Sequence, residues 1–492
     1  MRWIMYCALM GAGFGLSWNI HTTSAQSLAA LPPVPPPAFA SPTSSSVPLG
    51  SYAQRSTVMQ SAVQTYGPNE HASPGVSGTI DYPSTQYASI PDASYPGDAI
   101  PDDNYSGGML GNGWLRMNTP LSQQLLDFQN RQTDKELFIL QDSSNNYVCR
   151  PYVTVGAQGR FSFLGARTNT TNKFPYLGRF PTDFRGEYAS DVRILQANSQ
   201  VTATVTSWAS VYAELLFSDV FSFGSFQQGS LQTRQAYAVL GNLNHSPFYA
   251  YIGKKNVGFG DMQTLSPFTQ AIPWHYFGAL AEGVGAGYHG NSLDMTVAAI
   301  NGGRGIRVAD SVERGDLNNF AGNIAYTFGE TPDRRLRLGS GVLYGTIYDG
   351  FTAEHLDLNQ FGPNYNTAWD VNARLDWGRW IFGGETISTV RPWPVTATQV
   401  SAYRAEGAYR LDRARPSRLS VSWSEGVQGP PGSQFEFNRQ LVLGYGAQVH
   451  PNAFVSAEYV RSSGFAPLMD ITTVSDRSVV QDSAVLGLGL YF

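Results

Sequence analysis

From Val148 to the C-terminus, apolar and polar residues alternate with a period of two. The clearest apolar and polar sets are Val371, Ala373, Leu375 and Trp377 against Asp370, Asn372, Arg374 and Asp376, and Leu419, Val421 and Trp423 against Ser420, Ser422 and Ser424. Successive side chains of a β-strand point to opposite faces, so each segment predicts a strand with one apolar and one polar face. Many such strands in succession are typical of a membrane β-barrel, with lipid outside and water inside.

About sixteen segments show this pattern, an even number as bacterial barrels require, although merging two weak segments would leave fourteen. They begin near Tyr152, Asp191, Thr202, Gln232, Phe248, Tyr276, Ser292, Phe320, Leu336, Ala368, Arg379, Val400, Arg418, Arg439, Asn452 and Ala484. Short connections, such as one predicted at Asn198-Ser199-Gln200, alternate with long ones, such as 258–275 and 388–399. That alternation predicts a hairpin barrel in which all the long loops lie on the outer side and both termini in the periplasm.

Composition agrees with this prediction. Charged residues are 14% of the chain and aromatic residues 13%, and there are 51 glycines among 492 residues. The mean hydropathy is nevertheless negative, at -0.21. A helical membrane protein needs runs of about 20 apolar residues, and none follows the N-terminus. Alternating strands reconcile an apolar outer surface with a polar average.

The chain opens with two segments that precede any predicted barrel strand. Residues 1–25 carry one positive charge, an apolar run and small residues at Thr23-Ser24-Ala25, which predicts a cleaved secretory signal peptide, with a non-cleaved anchor as the alternative. Residues 26–113 are rich in Pro, Ser, Ala and Gly without an apolar period, which predicts a largely disordered segment.

Residues 114–146 predict one short amphipathic helix and a linker. Thr119-Pro120 can begin the helix, Leu121 and Leu125 fall on one helical face, and the helix should run to about Leu140. Docking near the barrel mouth is the simpler role for such a helix, and oligomerisation is the alternative. The barrel itself is predicted over residues 147–492, so the fold class is all-β.

The last residues of the chain indicate a cellular compartment. Leu486, Leu488, Leu490 and Phe492 share one face of a final strand, and the chain ends on that phenylalanine. This end resembles the closing strand of Gram-negative outer-membrane barrels. The resemblance implies an outer-membrane location, contact with outer-membrane lipid, and recognition of Phe492 by the barrel assembly machinery. The closing strand should pair with the first strand near Tyr152.

A segment in the middle of the barrel resembles a known family. Gln235-Ala-Tyr-Ala-Val-Leu-Gly-Asn-Leu-Asn-His-Ser-Pro-Phe-Tyr-Ala-Tyr-Ile-Gly-Lys-Lys-Asn-Val-Gly-Phe-Gly260, followed by Leu265-Ser-Pro-Phe-Thr269, is similar to the core signature of the LbtU-type siderophore porins. That family contains outer-membrane barrels similar to the legiobactin receptor. The resemblance implies a transport class, with an iron–siderophore as solute, and transfers no site residues.

Charged residues on the polar faces are the candidate pore-lining residues. They are Arg234, Asp370, Arg374, Asp376, Arg404, Glu406 and Arg410. Charged groups in a water-filled pore set its field and selectivity. Alternating charges also stabilise the inner wall of any large barrel through cross-strand ion pairs, so a purely structural role for these residues stays open.

Several classes of function are disfavoured. The net charge is -5, which argues against nucleic acid as a partner. Gly283-Val-Gly-Ala-Gly287 lies in a strand pattern and lacks the helix of a nucleotide-binding loop, so these glycines should thin the wall where a loop or the N-terminal segment packs inward. No Gly-x-Ser-x-Gly motif occurs and the histidines are scattered, so we expect no enzyme, no cofactor and no metal site. Cys149 would be alone after cleavage, which excludes an intramolecular disulfide.

The sequence therefore predicts an outer-membrane barrel that passes a small hydrophilic solute, an iron–siderophore by resemblance. A TonB-dependent receptor fits less well because that architecture needs a folded plug and about 22 strands. A general or carbohydrate-selective porin is one alternative, and a surface adhesin or structural barrel is another. Whether the barrels form homo-oligomers stays open.

Overall fold

A computed structural model describes most of the chain after residue 108. The described residues are 109–110, 114–130, 132–146, 150–171, 186–218, 231–302, 317–331, 333–349, 365–412, 416–433, 436–465 and 478–492. The predicted signal peptide, the segment up to residue 108 that the sequence predicts to be disordered, Cys149 and several long connections lie outside these residues. In the described part, no helix is long and apolar enough to cross a membrane.

Sixteen antiparallel strands, β3 to β18, form a closed barrel. Two short strands precede them, β1 (Met109–Leu110) and β2 (Leu115–Met117). The barrel strands are β3 (Tyr152–Thr168), β4 (Tyr188–Thr206), β5 (Ala209–Ser218), β6 (Leu231–Gly241), β7 (Phe248–Asn256), β8 (Leu280–His289), β9 (Leu293–Ile300), β10 (Asn319–Thr331), β11 (Arg334–Leu343), β12 (Ala368–Trp377), β13 (Trp380–Trp393), β14 (Thr398–Asp412), β15 (Ser417–Val427), β16 (Phe437–His450), β17 (Ala453–Gly464) and β18 (Val480–Tyr491).

The last barrel strand closes on the first, as predicted. β18 pairs antiparallel with β3 from Gln481 opposite Thr168 to Tyr491 opposite Gln158. The backbone N–H of Phe492 then donates to the carbonyl of Ala157, at 3.0 Å. Closure leaves no free sheet edge, which is the condition for a barrel to satisfy its own backbone groups.

The two faces of the wall differ as the alternation predicts. On β15, Leu419 and Val421 are 48% and 45% exposed on the outer face, whereas Ser420 and Ser422 are 9% and 2% exposed on the inner face. The barrel therefore carries its apolar side chains outside, and its polar side chains point into a lumen.

The described α-helices belong to two segments inside the barrel. Helix α1 (Thr119–Leu126) and helix α2 (Glu136–Asn146) precede β3, and helix α3 (Ile272–Phe277) lies between β7 and β8. A short 3-10 helix, Ile347–Asp349, follows β11. We call residues 114–146 the N-terminal segment and residues 257–279 the inward loop.

The single helix predicted from Thr119 to about Leu140 is two helices. Asp127 stops α1 because its carboxylate accepts the backbone N–H of Gln129, at 2.8 Å. The last carbonyls of α1 are then satisfied from elsewhere: Lys135 donates to Leu125 and the wall residue Gln158 donates to Leu126. These long-range donors replace the helical continuation that the sequence suggested.

Two predicted connections and one predicted strand start are wrong in detail. Asn198 and Gln200 lie inside β4, and the turn is at 207–208. Their polar side chains point inward, and the side chain of Asn198 donates to Glu214 at 2.6 Å. The run of polar residues that suggested a turn is therefore part of the inner face of a strand. Tyr276 lies in α3, not at the start of a strand, and β8 begins at Leu280. The connection predicted over 388–399 is only 394–397.

Candidate functional site

The seven candidate pore-lining residues all lie on the inner face of the wall. Arg234, Asp370, Asp376, Arg404 and Glu406 are buried there against other inner-face or internal residues. Arg374 and Arg410 retain 11% and 20% side-chain exposure. That these residues line a conducting path stays a prediction.

The inward loop crosses the lumen, although its middle part was predicted as an outer loop. Three glutamates on the inner wall hold its backbone, and only one of them, Glu406, was a candidate. Glu385 on β13 accepts the N–H groups of Asp261 and Met262, at 2.7 and 3.1 Å. The N–H of Leu265 donates to Glu406 on β14, at 2.9 Å.

The third glutamate, Glu458 on β17, holds the far side of the loop. It accepts the N–H of Phe268 at 2.7 Å, and the N–H and hydroxyl of Thr269 at 3.0 and 2.5 Å. Carboxylates that accept several backbone N–H groups form strong, charge-assisted bonds. The loop is thus fixed from three different strands around the barrel.

Arg404 ties the same loop to the wall by charge. Its guanidinium lies 2.8 Å from Asp261, 3.2 Å from Glu385 and 3.1 Å from Glu406, and it also donates to the carbonyl of Gln263. The positive charge therefore sits among three carboxylates, which partly balances their negative charge inside the wall.

Apolar packing supports these polar contacts. Leu265 of the loop packs with Ile381 and Ala408 of the wall. In α3, Phe277 lies 5.4 Å from the ring of Tyr348, which in turn contacts Trp393 at 5.6 Å.

Glycines in the wall make room for the loop. An added Cβ would stand 2.3 Å from the Tyr276 ring at Gly426, 2.5 Å from Pro267 at Gly444, and 2.6 Å from Phe268 at Gly487. Side chains of the inward loop therefore press directly on the backbone of β15, β16 and β18.

The glycines singled out in the sequence, Gly283, Gly285 and Gly287, face other residues of the wall. At Gly285 and Gly287 an added Cβ would stand 2.4 Å from the Tyr251 ring and 2.1 Å from the Tyr249 ring, both on β7. At Gly283 it would stand 2.3 Å from the carbonyl oxygen of Ala299 on β9. The nearest neighbours of these glycines are therefore not in the inward loop or the N-terminal segment.

The N-terminal segment fills the opposite side of the lumen. Lys255 of β7 forms an ion pair with Glu136 of α2 at 2.5 Å. Arg234 of β6 pairs with Glu214 of β5 at 3.3 Å and lies 4.0 Å above the Phe128 ring. At the short-turn end, Gln123 donates to the carbonyl of Pro451 and Ser144 accepts the N–H of Leu243.

The two internal segments contact each other. Gln129 donates through its side chain to the carbonyl of Phe268 and accepts the N–H of Thr264, at 2.8 and 2.9 Å. Gln270 donates to the carbonyl of Phe128 at 3.0 Å. Together they form one connected internal layer that narrows the barrel.

Burial changes the acidity of two groups in the N-terminal segment. It lowers the pKa of Lys135 to about 8, because the charged ammonium loses its hydration, although the nearby Glu214 and Asp127 oppose this. Burial raises the pKa of Glu136, and the charge of Lys255 opposes that shift.

The inner wall between β11 and β14 is rich in arginine. Asp376 accepts ion pairs from Arg335 at 3.1 Å, Arg374 at 3.3 Å and Arg410 at 2.9 Å. Arg337, which retains 22% side-chain exposure, contacts Asp261 at 3.4 Å. The partly exposed side chains of Arg337 and Arg410 mark a wetter part of the lumen.

Sequence reasoning missed Glu385, Glu458, Arg335 and Arg337. Each stands in an alternating strand on the polar side, which is the signal that identified the other candidates. The described histidines do not form a cluster: His289 contacts Asp294, and no group of three metal-ligating side chains occurs among the described residues.

No family model and no curated protein matches the chain. Several solved structures are similar to this chain in their fold. The outer membrane channel DcaP of Acinetobacter baumannii is 12% identical, with a TM-score of 0.45, over 70% of this chain and 99% of that one. An anion-selective porin from Comamonas acidovorans is 9% identical, with a TM-score of 0.46, over 70% of this chain and 100% of that one. OprB of Pseudomonas putida is 11% identical, with a TM-score of 0.45, over 74% of this chain and 99% of that one.

Proposed function

We propose that this chain is a diffusion channel of the bacterial outer membrane and not an enzyme. The observation that carries the proposal is the closed sixteen-strand barrel, apolar outside and charged inside. A barrel of this size encloses a lumen wide enough for small hydrophilic solutes. The inward loop and the N-terminal segment would then set how wide the passage is.

Aromatic side chains on the outer surface support a membrane location. Exposed residues near the short-turn end include Trp208, Phe248, Phe328, Trp377, Trp380 and Phe492, and those near the opposite end include Tyr188, Phe320, Tyr344 and Trp369. Tyr and Trp favour the two membrane–water interfaces, and girdles of this kind flank the apolar band of outer-membrane barrels. The short turns and the C-terminus would face the periplasm.

The proposed export route has two signals. Residues 1–25 would act as a cleaved signal peptide. The exposed Phe492, directly after the closing strand β18, would be recognised by the barrel assembly machinery. Self-association of barrels within the membrane would follow from outer-face contacts, and cross-linking in native membranes would measure it.

An iron–siderophore is the solute that we propose, on the resemblance to LbtU-type porins. The resembling residues form β6, its turn and β7, and continue into the inward loop through Phe259, Gly260 and the Leu265 to Thr269 stretch. The resemblance therefore covers the segment that narrows the lumen. A general or carbohydrate-selective porin is the second candidate, since the barrel and lumen would serve either solute.

Two measurements test these proposals separately. Purified protein inserted in a planar lipid bilayer should give stepwise single-channel currents. A sealed bilayer in the presence of folded protein would favour an adhesin or structural barrel. Growth of a deletion strain on a ferric siderophore as sole iron source should be impaired. Normal growth would refute the siderophore as the solute, and the proposal of a channel would stand.

A further inference from the structure

The inner wall holds two like charges directly opposite each other. Arg337 on β11 and Arg374 on β12 are cross-strand partners. Both side chains point inward, because Arg337 contacts Asp261 and Arg374 donates to Gln263 on the inward loop. Like charges in this position destabilise a sheet, so the pair calls for a compensating negative charge.

The two carboxylates nearest to the arginine pair are each shared with other arginines. Asp261, at 3.4 Å from Arg337, also binds Arg404 at 2.8 Å. Asp376, at 3.3 Å from Arg374, is shared with Arg335 and Arg410. Each of these two carboxylates therefore serves more than one guanidinium, and Glu385 and Glu406 complete the set of carboxylates around Arg404.

The arginine pair also has free hydrogen-bonding capacity and space beside it. The Nη2 atom of Arg374 is buried and has no hydrogen-bond partner among the described residues. The next residue in the cross-strand row is Gly383, where an added Cβ would meet only a Glu406 oxygen, at 3.8 Å. On the other side of the row, Thr327 lies opposite Arg337.

We propose that Arg337 and Arg374 form a binding site for a small multivalent oxyanion, a carboxylate or a phosphate. Guanidinium groups bind both through paired N–H donors, and two of them side by side suit an anion with more than one charge. The proposal rests on the proposed channel function only for its consequence, which is that the bound anion is a transported solute or part of one. Glu406, across Gly383, sets the negative edge of the site.

Binding is measured first, without any need for conduction. Isothermal titration of the full, folded protein in detergent is carried out with inorganic phosphate, citrate and chloride. Phosphate or citrate should bind, and Arg337→Gln and Arg374→Gln should each weaken that binding about tenfold or more. Arg461→Gln removes the same charge from the outer face, where Arg461 pairs with Asp482, and should leave binding unchanged.

The outcomes separate the alternatives. Tighter phosphate binding identifies a phosphate ligand, and tighter citrate binding identifies a carboxylate ligand. No binding of either anion to the wild-type protein, or equal weakening by Arg461→Gln, overturns the site. Heat-modifiable mobility shows that each variant is folded, and Arg374→Lys, which keeps the charge but loses the fork of donors, should bind more weakly than the wild type.

A bilayer measurement then connects the site to transport. In a potassium chloride gradient, the reversal potential of the wild-type channel should favour chloride, and the double variant Arg337→Gln/Arg374→Gln should reduce this preference. Anion binding without any channel current would refute the proposed channel and leave the site standing. Channel current without anion binding would refute the site and leave the proposed channel standing.

Discussion

Glu458, on the inner face of β17, accepts hydrogen bonds from both the backbone N–H and the hydroxyl of Thr269, in the inward loop. With Glu385 and Glu406 it forms a set of three wall carboxylates that hold one loop across the lumen. Because backbone N–H groups buried inside the wall need acceptors, the loop depends on these side chains as much as on its own sequence.

Replacing Glu458 by alanine should free this side of the loop. Three donors, the N–H groups of Phe268 and Thr269 and the Thr269 hydroxyl, lose a charged acceptor, so we expect the free energy of unfolding to fall by about 3 kcal/mol. The single-channel conductance should rise as the loop leaves the lumen. Both are measurable on refolded protein, by urea titration and in planar bilayers.

The matched control is Glu425→Ala, on the outer face, where the carboxylate pairs with Arg439 at 2.8 Å. Surface ion pairs contribute about 1 kcal/mol or less, so its conductance should equal that of the wild type. An unchanged conductance in Glu458→Ala as well would mean that the loop is held without the carboxylate.

A methyl group at Gly487 should disturb the loop from the wall side. It would stand 2.6 Å from the Phe268 ring and 2.3 Å from Ser456, so Gly487→Ala should destabilise the fold by about 1–3 kcal/mol. Gly165→Ala on neighbouring β3 would meet nothing within 4 Å and should change stability by less than about 0.5 kcal/mol. Equal effects in urea titration would contradict the contact.

The wall of this barrel could be predicted from sequence because it follows a local rule. Period-two alternation located β7 at Phe248, β12 at Ala368 and the inner face that carries Asp370 and Arg404, since each strand repeats the same pattern with its neighbours. The rule fails where inner-face residues look like a turn, as Asn198 does within β4.

The contents of the lumen could not be predicted in the same way. The inward loop has no alternation, and its position depends on Glu385, Glu406 and Glu458, which lie more than 100 residues away in sequence. Nothing local distinguishes those glutamates from other inner-face charges. The two helices of the N-terminal segment likewise depend on partners such as Lys255 and Gln158 in the wall.

Removing residues 114–146 should open the short-turn side of the barrel. The strands β3 to β18 close without this segment, so the barrel should still fold, and its conductance should rise about twofold, because part of the lumen is no longer occupied. Glu136→Gln, which keeps the segment but removes the ion pair with Lys255, should give an intermediate value. A truncated barrel with wild-type conductance would show that the segment lies outside the conducting path.

Shortening the chain by Phe492 should slow assembly in cells. The residue is exposed on the outer face, and its backbone pairs with Ala157 of β3. Phe492→Ala keeps that backbone pairing and removes only the ring, so a defect shared by both variants would assign the signal to the side chain. The measurement is the fraction of heat-modifiable protein in isolated membranes; full assembly of both variants would argue against recognition of the terminal ring.

Lys135 should make stability depend on pH in the alkaline range. Its pKa is lowered to about 8 in the folded protein from 10.5, so between these values the unfolded chain binds a proton that the folded protein does not. Unfolding then takes up a proton, and stability rises as the pH increases through this window. The gain should not exceed about 3 kcal/mol.

Other lysines and tyrosines also titrate in this range, so the relevant quantity is the difference between the wild type and Lys135→Met. That difference in the free energy of unfolding, measured by urea titration at pH 7, 9 and 10.5, should move in favour of the wild type as the pH rises. A constant difference would show that Lys135 keeps its proton in the folded protein, held by the carbonyls of Leu125 and Asp127.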